Sequence, residues 1–252
     1  MKTAVISGGN GGLGRALSAA LQARGWRVVL LDLHTEGMED TPTQIPITCD
    51  LTNPEALARA TKAVLSRCES IDLVVYNAGI THLGAFDGLD EAALRKVFEI
   101  NLFAAANMAQ AFLQAVRDAR GTHLAISSVA GFSPLYHRTA YAASKHALEG
   151  LFGSLRSEER PYGVRTIIAA PSFVATNTGH VPAGQDGTTR PGSASDGFDV
   201  MTPDEAAAVI LKGLDKGRDF IPVGRVARLS YYINRLSPRL FQRLMEKNVK
   251  GH

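Results

Sequence analysis

The sequence is poor in the features that mark secreted, metal-binding and membrane-spanning proteins. Only two cysteines, Cys49 and Cys68, occur among 252 residues, and neither a CxxC pair nor a metal-ligand spacing is present. No run approaches the roughly 18 apolar residues of a membrane span. The N-terminus also lacks the apolar core of a signal peptide. We therefore expect a cytoplasmic protein that holds no metal and is stabilised by packing.

Charge of one sign is also scarce. The chain has 27 lysines and arginines against 24 aspartates and glutamates, a net charge of +3, which is too small to indicate nucleic-acid binding. Hydrophobic residues make up 45% of the chain, as in an ordinary globular protein. No repeat, linker or boundary divides the chain, so residues 1–252 are interpreted as a single domain.

Short apolar runs alternate with helical patterns along the chain. The seven predicted strands are Thr3–Ser7, Arg27–Asp32, Ile45–Cys49, Ile71–Asn77, His123–Ser127, Val164–Ala170 and Phe220–Val223. The longer predicted helices cover residues 54–68, 91–100, 102–120, 141–160 and 203 onward. Apolar strands separated by helices predict a seven-stranded parallel sheet with helices on both faces, which is a doubly wound α/β fold.

A glycine-rich turn, Ser7–Gly14, joins the first strand to the first helix. In a dinucleotide site, Gly8 permits the tight turn, Gly12 lets the backbone approach a pyrophosphate, and Gly14 lets helix and strand pack closely. Free N–H groups at the helix start face the phosphate charge. We assign Asn10 and Leu13 of the turn to the same site. The sequence thus predicts a Rossmann-type, NAD(P)-binding domain.

Asp32 ends the second strand about 20 residues after the turn, where a carboxylate can accept hydrogen bonds from the adenosine ribose. It would repel a 2′-phosphate, and neither Gly11 nor the following Leu33 and His34 supplies a compensating cation. Arg15 lies beyond the last glycine and is expected to face solvent. The predicted cofactor is therefore NAD, with NADP as the less favoured alternative.

Tyr141 and Lys145 stand four residues apart, so a helix places them on one face. A free tyrosine has a pKa of about 10, and a nearby ammonium favours the phenolate, as does the positive nicotinamide of NAD⁺. This would bring Tyr141 toward the range useful for general acid–base catalysis. Ser128 ends the fifth strand, on the side where open α/β sheets bind ligands, and can hydrogen-bond a substrate oxygen.

Together these residues resemble the classical short-chain dehydrogenase/reductase (SDR) family, from Thr3 to about Pro222. The motifs that carry the resemblance are the glycine turn, Asp50, Asn77-Ala78-Gly79, Asn101, Ser128, Tyr141 with Lys145, and Pro171 with Thr176. The resemblance implies an oxidoreductase that forms a homodimer or homotetramer through the two helices over residues 102–120 and 141–160.

The resemblance also implies roles for individual residues. The implied catalytic set is Asn101, Ser128, Tyr141 and Lys145. Asn101 would lie at a helix irregularity and hold a water that links Lys145 to solvent as a proton relay. The implied cofactor contacts beyond the glycine turn and Asp32 are Asp50, Leu51, Asn77, Ala78, Gly79, Tyr141, Lys145, Pro171, Val174 and Thr176.

Two positions depart from the family's pattern. Ser172 follows Pro171, where the family usually has glycine, and it could reshape the nicotinamide pocket. Tyr76 stands where asparagine is common, and we interpret this change as structural.

Two segments do not fit the alternation of strands and helices. Residues 179–197 are too long for a simple connection, so they form either a lid or a disordered stretch, and we predict a substrate lid. Residues 225–250 form a helical tail with seven basic residues against Glu246 alone. Such a basic amphipathic helix can lie on an anionic membrane surface, cover a substrate pocket or pack on a second subunit.

The sequence therefore predicts an NAD-dependent oxidoreductase that acts on a small-molecule secondary alcohol or ketone, with Tyr141 as general acid and base. The candidate pocket side chains Phe132, Leu135, Tyr136 and Phe173 indicate an apolar substrate, and His137 is a further candidate contact. Two alternatives stay open: a catalytically silent NAD(H)-binding redox sensor, and a membrane-surface lipid or steroid dehydrogenase.

Overall fold

The computed structural model describes residues 1–176, 184–192 and 200–249. In chain order the strands are β1 Thr3–Ser7, β2 Arg27–Asp32, β3 Gln44–Thr48, β4 Leu73–Tyr76, β5 Thr81–His82, β6 Thr122–Ile126, β7 Arg165–Pro171, β8 Thr188–Thr189 and β9 Phe220–Val223. The α-helices are α1 Gly12–Gln22, α2 Pro54–Arg67, α3 Glu91–Phe98, α4 Ala104–Asp118, α5 Thr139–Glu159, α6 Pro203–Asp215, α7 Arg225–Leu236 and α8 Pro238–Val249.

Seven strands form one parallel sheet in the order β3-β2-β1-β4-β6-β7-β9. From β1 the chain moves outward to β2 and β3, and from β4 it moves outward in the other direction. The strand order therefore reverses between β1 and β4, and the crevice at their carboxyl ends is where such sheets bind ligands. The predicted seven-stranded, doubly wound α/β fold is confirmed.

Two apolar layers cover the sheet because successive strand residues point to opposite faces. On β1, Val5 packs with α2, α4 and α5, whereas Ala4 and Ile6 pack with α1 and α6. All three residues are fully buried. The central strands β1, β4 and β6 are therefore buried at every position, which accounts for the mainly apolar runs in the sequence.

Local signals set the helix starts that the sequence predicts. The Asn53 side chain accepts a hydrogen bond from the backbone N–H of Ala56 at 3.0 Å, directly before Pro54. Thr202 and Glu205 form a reciprocal capping box at the start of α6. These caps satisfy N–H groups that a helix end would otherwise leave without partners.

The structure differs from the sequence prediction at three places. The two helices predicted over 91–120 form one run that a π-helical turn, Glu99–Phe103, interrupts. The helical tail predicted over 225–250 consists of two helices, α7 and α8, which are divided at Ser237. The lid predicted at 179–197 lies partly outside the described residues, and its described part, 184–192, contains β8, which pairs with β5.

The C-terminal helices expose a row of large apolar side chains. On α7, Ala227 and Ser230 are buried, whereas the other face carries Leu229, Tyr232 and Leu236 in solvent. We define the C-terminal apolar stripe as Leu229, Tyr232, Leu236, Leu240 and Leu244, all of which are exposed. Among the described residues, no helix is both long and apolar enough to cross a bilayer.

The predicted oligomer helices pack mainly within the chain. Met108 and Phe112 of α4, like Leu148 and Phe152 of α5, belong to the buried core between these helices and the sheet. Phe103, directly before α4, is half exposed. Assembly through α4 and α5 therefore stays a prediction.

Candidate active site

A cleft of about 570 Å³ crosses the carboxyl ends of the central strands. Its wall contains the predicted cofactor residues Gly8, Gly12, Leu13, Asp32, Asp50, Leu51, Asn77, Ala78, Gly79, Tyr141, Lys145, Pro171, Val174 and Thr176. Ser128 lines the same cleft, whereas Asn10, Gly14 and Asn101 stand behind its wall. Residues separated by up to 168 positions in the sequence thus meet in one site.

The glycine turn leaves no room for side chains where the chain folds back on itself. Gly8 has a φ of +63°, a conformation that residues with side chains rarely adopt. A methyl group at Gly14 would overlap the carbonyl oxygen of Gly8, and one at Gly12 would lie 2.8 Å from the carbonyl oxygen of Thr176. The turn therefore presents bare backbone to the cleft, as binding of a pyrophosphate requires.

Hydrogen bonds hold the turn against the end of β2. The backbone N–H of Asn10 donates to the Asp32 carboxylate at 2.9 Å, and the Asn10 side chain donates to the carbonyl of His34 at 2.8 Å. Arg15 is exposed, as predicted, and its Nε donates to the carbonyl of Asn10 at 3.0 Å. Asn10 thus orients the turn from behind, and Asp32 faces the cleft.

Asn77 joins β4 to the glycine turn. Its side-chain Nδ2 donates to the carbonyls of Ser7 and Gly8 at 3.1 and 3.0 Å. Further along the wall, Asp50 accepts hydrogen bonds from the backbone and the hydroxyl of Thr52 at 2.9 and 2.7 Å. These contacts fix the cleft wall at the switch point of the sheet.

Ser128 and Tyr141 meet at the far end of the cleft. Burial raises the pKa of Tyr141 above its usual value, whereas the hydrogen bond with Ser128 and the positive charge of Arg138 lower it. Arg138, three residues before Tyr141, is thus a cation near this hydroxyl that the sequence did not indicate. The effect expected of the Lys145 ammonium stays a prediction.

Lys145 is buried, and its Nζ donates to the carbonyl of Ile126 at 2.8 Å. The Nζ lies 5.8 Å from the centre of the Tyr141 ring. Burial lowers the pKa of Lys145 to about 8, and the nearby Glu149 partly opposes that effect. Glu149 itself accepts a hydrogen bond from the Ser127 hydroxyl at 2.7 Å.

Asn101 lies in the π-helical turn, so the resemblance was right to expect a helix irregularity there. Its Oδ1 accepts from the backbone of Ile80 at 2.8 Å, and its Nδ2 donates to Ser144 Oγ at 2.9 Å. A methyl group on Gly79 would lie 3.1 Å from Asn101 Oδ1 and 3.6 Å from Lys145 Nζ. Because Gly79 has no side chain, Asn101 and Lys145 border the same small space.

The substrate end of the cleft is less apolar than the sequence indicates. Leu135 and Phe173 line it, as expected. Tyr136 is exposed, however, and Phe132 packs against Tyr231 of α7 with ring centres 5.4 Å apart. Neither residue therefore lines the described cleft, because Tyr136 faces solvent and Phe132 packs on α7 of the predicted helical tail. His137 is also exposed and lies outside the cleft wall.

Polar contacts shape the rest of this end. The Ser172 hydroxyl donates to the carbonyl of Val223 at 3.2 Å, so β9 satisfies the side chain that departs from the family's pattern. Thr176 Oγ1 donates to the carbonyl of Pro191 at 2.7 Å and ties the segment after β8 to the cleft. Tyr76 lies in the core, where its hydroxyl and His123 Nδ1 are 2.6 Å apart, which fits the structural interpretation. Within the described ranges, no three histidine, cysteine or acidic side chains cluster as a metal site requires.

Comparison with known proteins identifies the family. The family model for short chain dehydrogenase matches residues 2–183. This chain therefore belongs to the short-chain dehydrogenase/reductase family of oxidoreductases, whose members bind nicotinamide cofactors.

Individual relatives match nearly the whole chain. Dehydrogenase/reductase SDR family member 7B of Bos taurus is 30% identical over 262 aligned positions, which cover 98% of this chain and 81% of that protein. A short-chain dehydrogenase from Streptomyces avermitilis has a TM-score of 0.83 at 29% identity and covers 99% of this chain and 97% of its own. A short chain dehydrogenase from Burkholderia cenocepacia, in complex with NADP, has a TM-score of 0.82 at 26% identity, with 96% of each chain covered.

Sequence reasoning missed two charged residues of the site. Glu149 stands four residues after Lys145 within α5, so helical spacing alone could have placed it beside Lys145. Arg138 stands three residues before Tyr141, directly before that helix begins. Neither residue was assigned a role from the sequence. Burial, which gives both charges their effect, depends on long-range packing that this spacing does not reveal.

Proposed function

We propose that this protein is an NAD-dependent dehydrogenase/reductase that transfers a hydride between NAD(H) and a secondary alcohol or ketone. The observation that carries the proposal is the meeting of Ser128, Tyr141 and Lys145 in one cleft with the glycine turn. A protein that only senses NAD(H) has no chemical need for this set of side chains.

The residues present fit a nicotinamide cofactor. The bare backbone of the glycine turn suits the pyrophosphate, and Asp32 suits the adenosine ribose. Asp50 and Leu51 would flank the adenine, while Lys145 would hold the nicotinamide ribose. Pro171, Val174 and Thr176 would border the nicotinamide. The bound cofactor supplies the hydride or accepts it.

The chain's own residues handle the proton. The Ser128 and Tyr141 hydroxyls would both hydrogen-bond the substrate oxygen, so that Tyr141 can take up its proton during oxidation and return it during reduction. The space that Asn101 and Lys145 share beside Gly79 can hold a water, which would connect this proton to solvent. Arg138 would favour the phenolate of Tyr141, because its positive charge stabilises the ionised form.

The preference for NAD rests on Asp32. Its carboxylate lines the cleft beside the glycine turn, where a 2′-phosphate would meet like charge. Arg15 lies close by, held on Asn10, and is the group that could offset this repulsion. We further propose a cytoplasmic homodimer or homotetramer.

The direct test follows NADH formation at a wavelength where only the reduced cofactor absorbs. A panel of secondary alcohols would be offered with NAD⁺ or NADP⁺ to the wild type and to Tyr141→Phe. We expect turnover with NAD⁺ that Tyr141→Phe abolishes. Tight NADH binding without turnover on any substrate would instead favour the redox-sensor alternative.

A second candidate differs in where the reaction takes place, at a membrane surface rather than in solution. The C-terminal apolar stripe favours it, since Leu236 is 85% exposed and Leu229 is 62% exposed. Residues 225–250 carry seven basic residues and one acidic residue. This positive charge would repel the same surface of a second copy of the chain, whereas it would attract anionic lipid. The substrate would then be a lipid or steroid.

Co-sedimentation with lipid vesicles tests this candidate. The protein should bind vesicles that contain phosphatidylglycerol and not vesicles of phosphatidylcholine alone. The double variant Leu236→Ser/Leu240→Ser should lose that binding, whereas Leu65→Ser, at a half-exposed leucine of α2, should keep it. Equal binding by all three proteins, or none by the wild type, would rule out docking through the stripe.

A further inference from the structure

The substrate end of the cleft contains a buried arginine. Arg138 is only 9% exposed, lines the cleft and lies directly before α5. Its Nη1 is 3.5 Å from Thr81 Oγ1, and its guanidinium carbon is 5.9 Å from the centre of the Phe173 ring. A charge at this depth acts strongly on any group that enters the cleft, because little water screens it.

The backbone before Arg138 is arranged to place it there. His137 has a φ of 54°, one of two positive values among the described residues that are not glycine. The carbonyl of His137 accepts a hydrogen bond from the backbone of Gly84 at 3.1 Å, which fixes this conformation. Positive φ values at side-chain-bearing residues cluster at functional sites, where the surrounding structure enforces them.

Arg138 is close enough to the reacting groups for its charge to act on them. Its positive charge is among the influences that lower the pKa of Tyr141. A negative group on a substrate at Tyr141 would therefore lie within reach of the positive charge of Arg138.

We infer that Arg138 binds a carboxylate of the substrate, so that the protein acts on hydroxy acids and oxo acids. A guanidinium has five N–H donors in a planar fork, and two of them match the two oxygens of a carboxylate. Five donors also allow Arg138 to keep its contacts within the protein while it binds a ligand. This inference rests on the proposed function, because it names the substrate class for the same site.

The test compares acids with their uncharged esters. Oxo acids of different chain length, such as levulinate, and their methyl esters would be reduced with NADH by the wild type, Arg138→Lys and Arg138→Met. Arg95→Met is the matched control, because Arg95 is an exposed arginine paired with Glu91 outside the cleft. The ratio of kcat/KM for acid over ester is the readout, since an effect on Tyr141 alone changes both substrates equally.

We expect the wild type to prefer an acid over its ester by about thirtyfold, the range of one charge-assisted hydrogen-bonded pair. Arg138→Met should lose the preference through KM, Arg138→Lys should keep part of it, and Arg95→Met all of it. A ratio near unity in the wild type, or an unchanged ratio in Arg138→Met, would overturn the inference.

A binding measurement separates this inference from the proposed function. Thermal shift of the NADH-bound protein with levulinate or methyl levulinate needs no turnover. Stabilisation of the wild type by the acid alone, lost in Arg138→Met, would support the carboxylate site even if no substrate were turned over. Turnover of simple alcohols without any stabilisation by acids would refute the carboxylate site and leave the proposed function intact.

Discussion

The two ends of the cleft are built in different ways. At the cofactor end, the glycine turn and Asp32 follow β1 and β2 directly, and their contacts join neighbouring strands. At the substrate end, Arg138, Phe173 and Arg190 come from three connections that meet only in the folded chain. The cofactor end is therefore a property of the parallel sheet, whereas the substrate end depends on loops that vary independently of it.

This difference predicts where substitutions act. Changes at the cofactor end should alter which nicotinamide is bound, and changes at the substrate end should alter which alcohol or ketone is used. Tyr141, Ser128 and Lys145 lie where the two ends meet, so changes there should reduce the reaction itself.

Lys145→Met should have the largest effect. We expect kcat to fall by about a thousandfold, within the usual range for a group that assists proton transfer. The KM for NAD⁺ should also rise, because the same ammonium is assigned to the nicotinamide ribose. Steady-state kinetics with a fixed alcohol would check both. A normal KM for NAD⁺ with a reduced kcat would show that Lys145 acts in proton transfer and does not hold the nicotinamide ribose.

Ser128→Ala should lower kcat by about a hundredfold, because one donor to the substrate oxygen is lost. The hydrogen bond from Ser128 lowers the pKa of Tyr141, so its removal should raise that pKa. Alcohol oxidation needs the phenolate of Tyr141. The rising limb of its pH profile should therefore move to higher pH. A pH profile of kcat/KM checks the direction, and an unmoved limb would show that Ser128 does not act on Tyr141.

Asp32→Ala tests the cofactor end alone. Without the carboxylate, the preference for NAD⁺ over NADP⁺ should shrink by about tenfold, equivalent to about 1.4 kcal/mol of repulsion removed. The KM for the alcohol should not change. If the wild type instead prefers NADP⁺, Arg15 offsets the repulsion between Asp32 and the 2′-phosphate. Arg15→Ala should then shift the preference toward NAD⁺.

Phe132→Leu should have the smallest effect on turnover, although the sequence placed Phe132 in the pocket. Its ring packs on Tyr231 and Phe220 instead, so kcat/KM should stay near the wild-type value. The free energy of unfolding should fall by about 1 kcal/mol, because aromatic contacts are lost. Steady-state kinetics measure the effect on turnover, and urea denaturation measures the effect on stability. A large loss of activity at unchanged stability would show that Phe132 contacts the substrate.

Prediction from sequence succeeded where the physical signal is local. The run Thr3–Ser7, followed by the glycine turn, predicts the strand and the turn that lines the cleft, because each depends on adjacent residues. Asp32 and the pair of Tyr141 and Lys145 were found for the same reason. The alternation of apolar runs and helical patterns was enough to predict the parallel sheet, because its strands are buried on both faces.

Prediction failed where distant segments decide the outcome. β5 and β8 are two residues each and lie more than 100 positions apart, so no local pattern predicts their pairing. In α7 three large apolar residues, Leu229, Tyr232 and Leu236, face solvent, whereas Ala227 and Ser230 are buried, so spacing alone does not show which face packs on the protein. The pKa of Tyr141 also could not be derived, because burial, which raises it, is a property of the folded cleft.

Single-turnover kinetics of Tyr141→Phe test most directly the claim that the cofactor end binds NADH and Tyr141 moves the proton. The variant would be saturated with NADH and mixed with a ketone that the wild type reduces, while a separate fluorescence titration measures NADH affinity. We predict wild-type affinity and hydride transfer slower by about a thousandfold. Hydride transfer at the wild-type rate would contradict the assignment of Tyr141 as the proton donor.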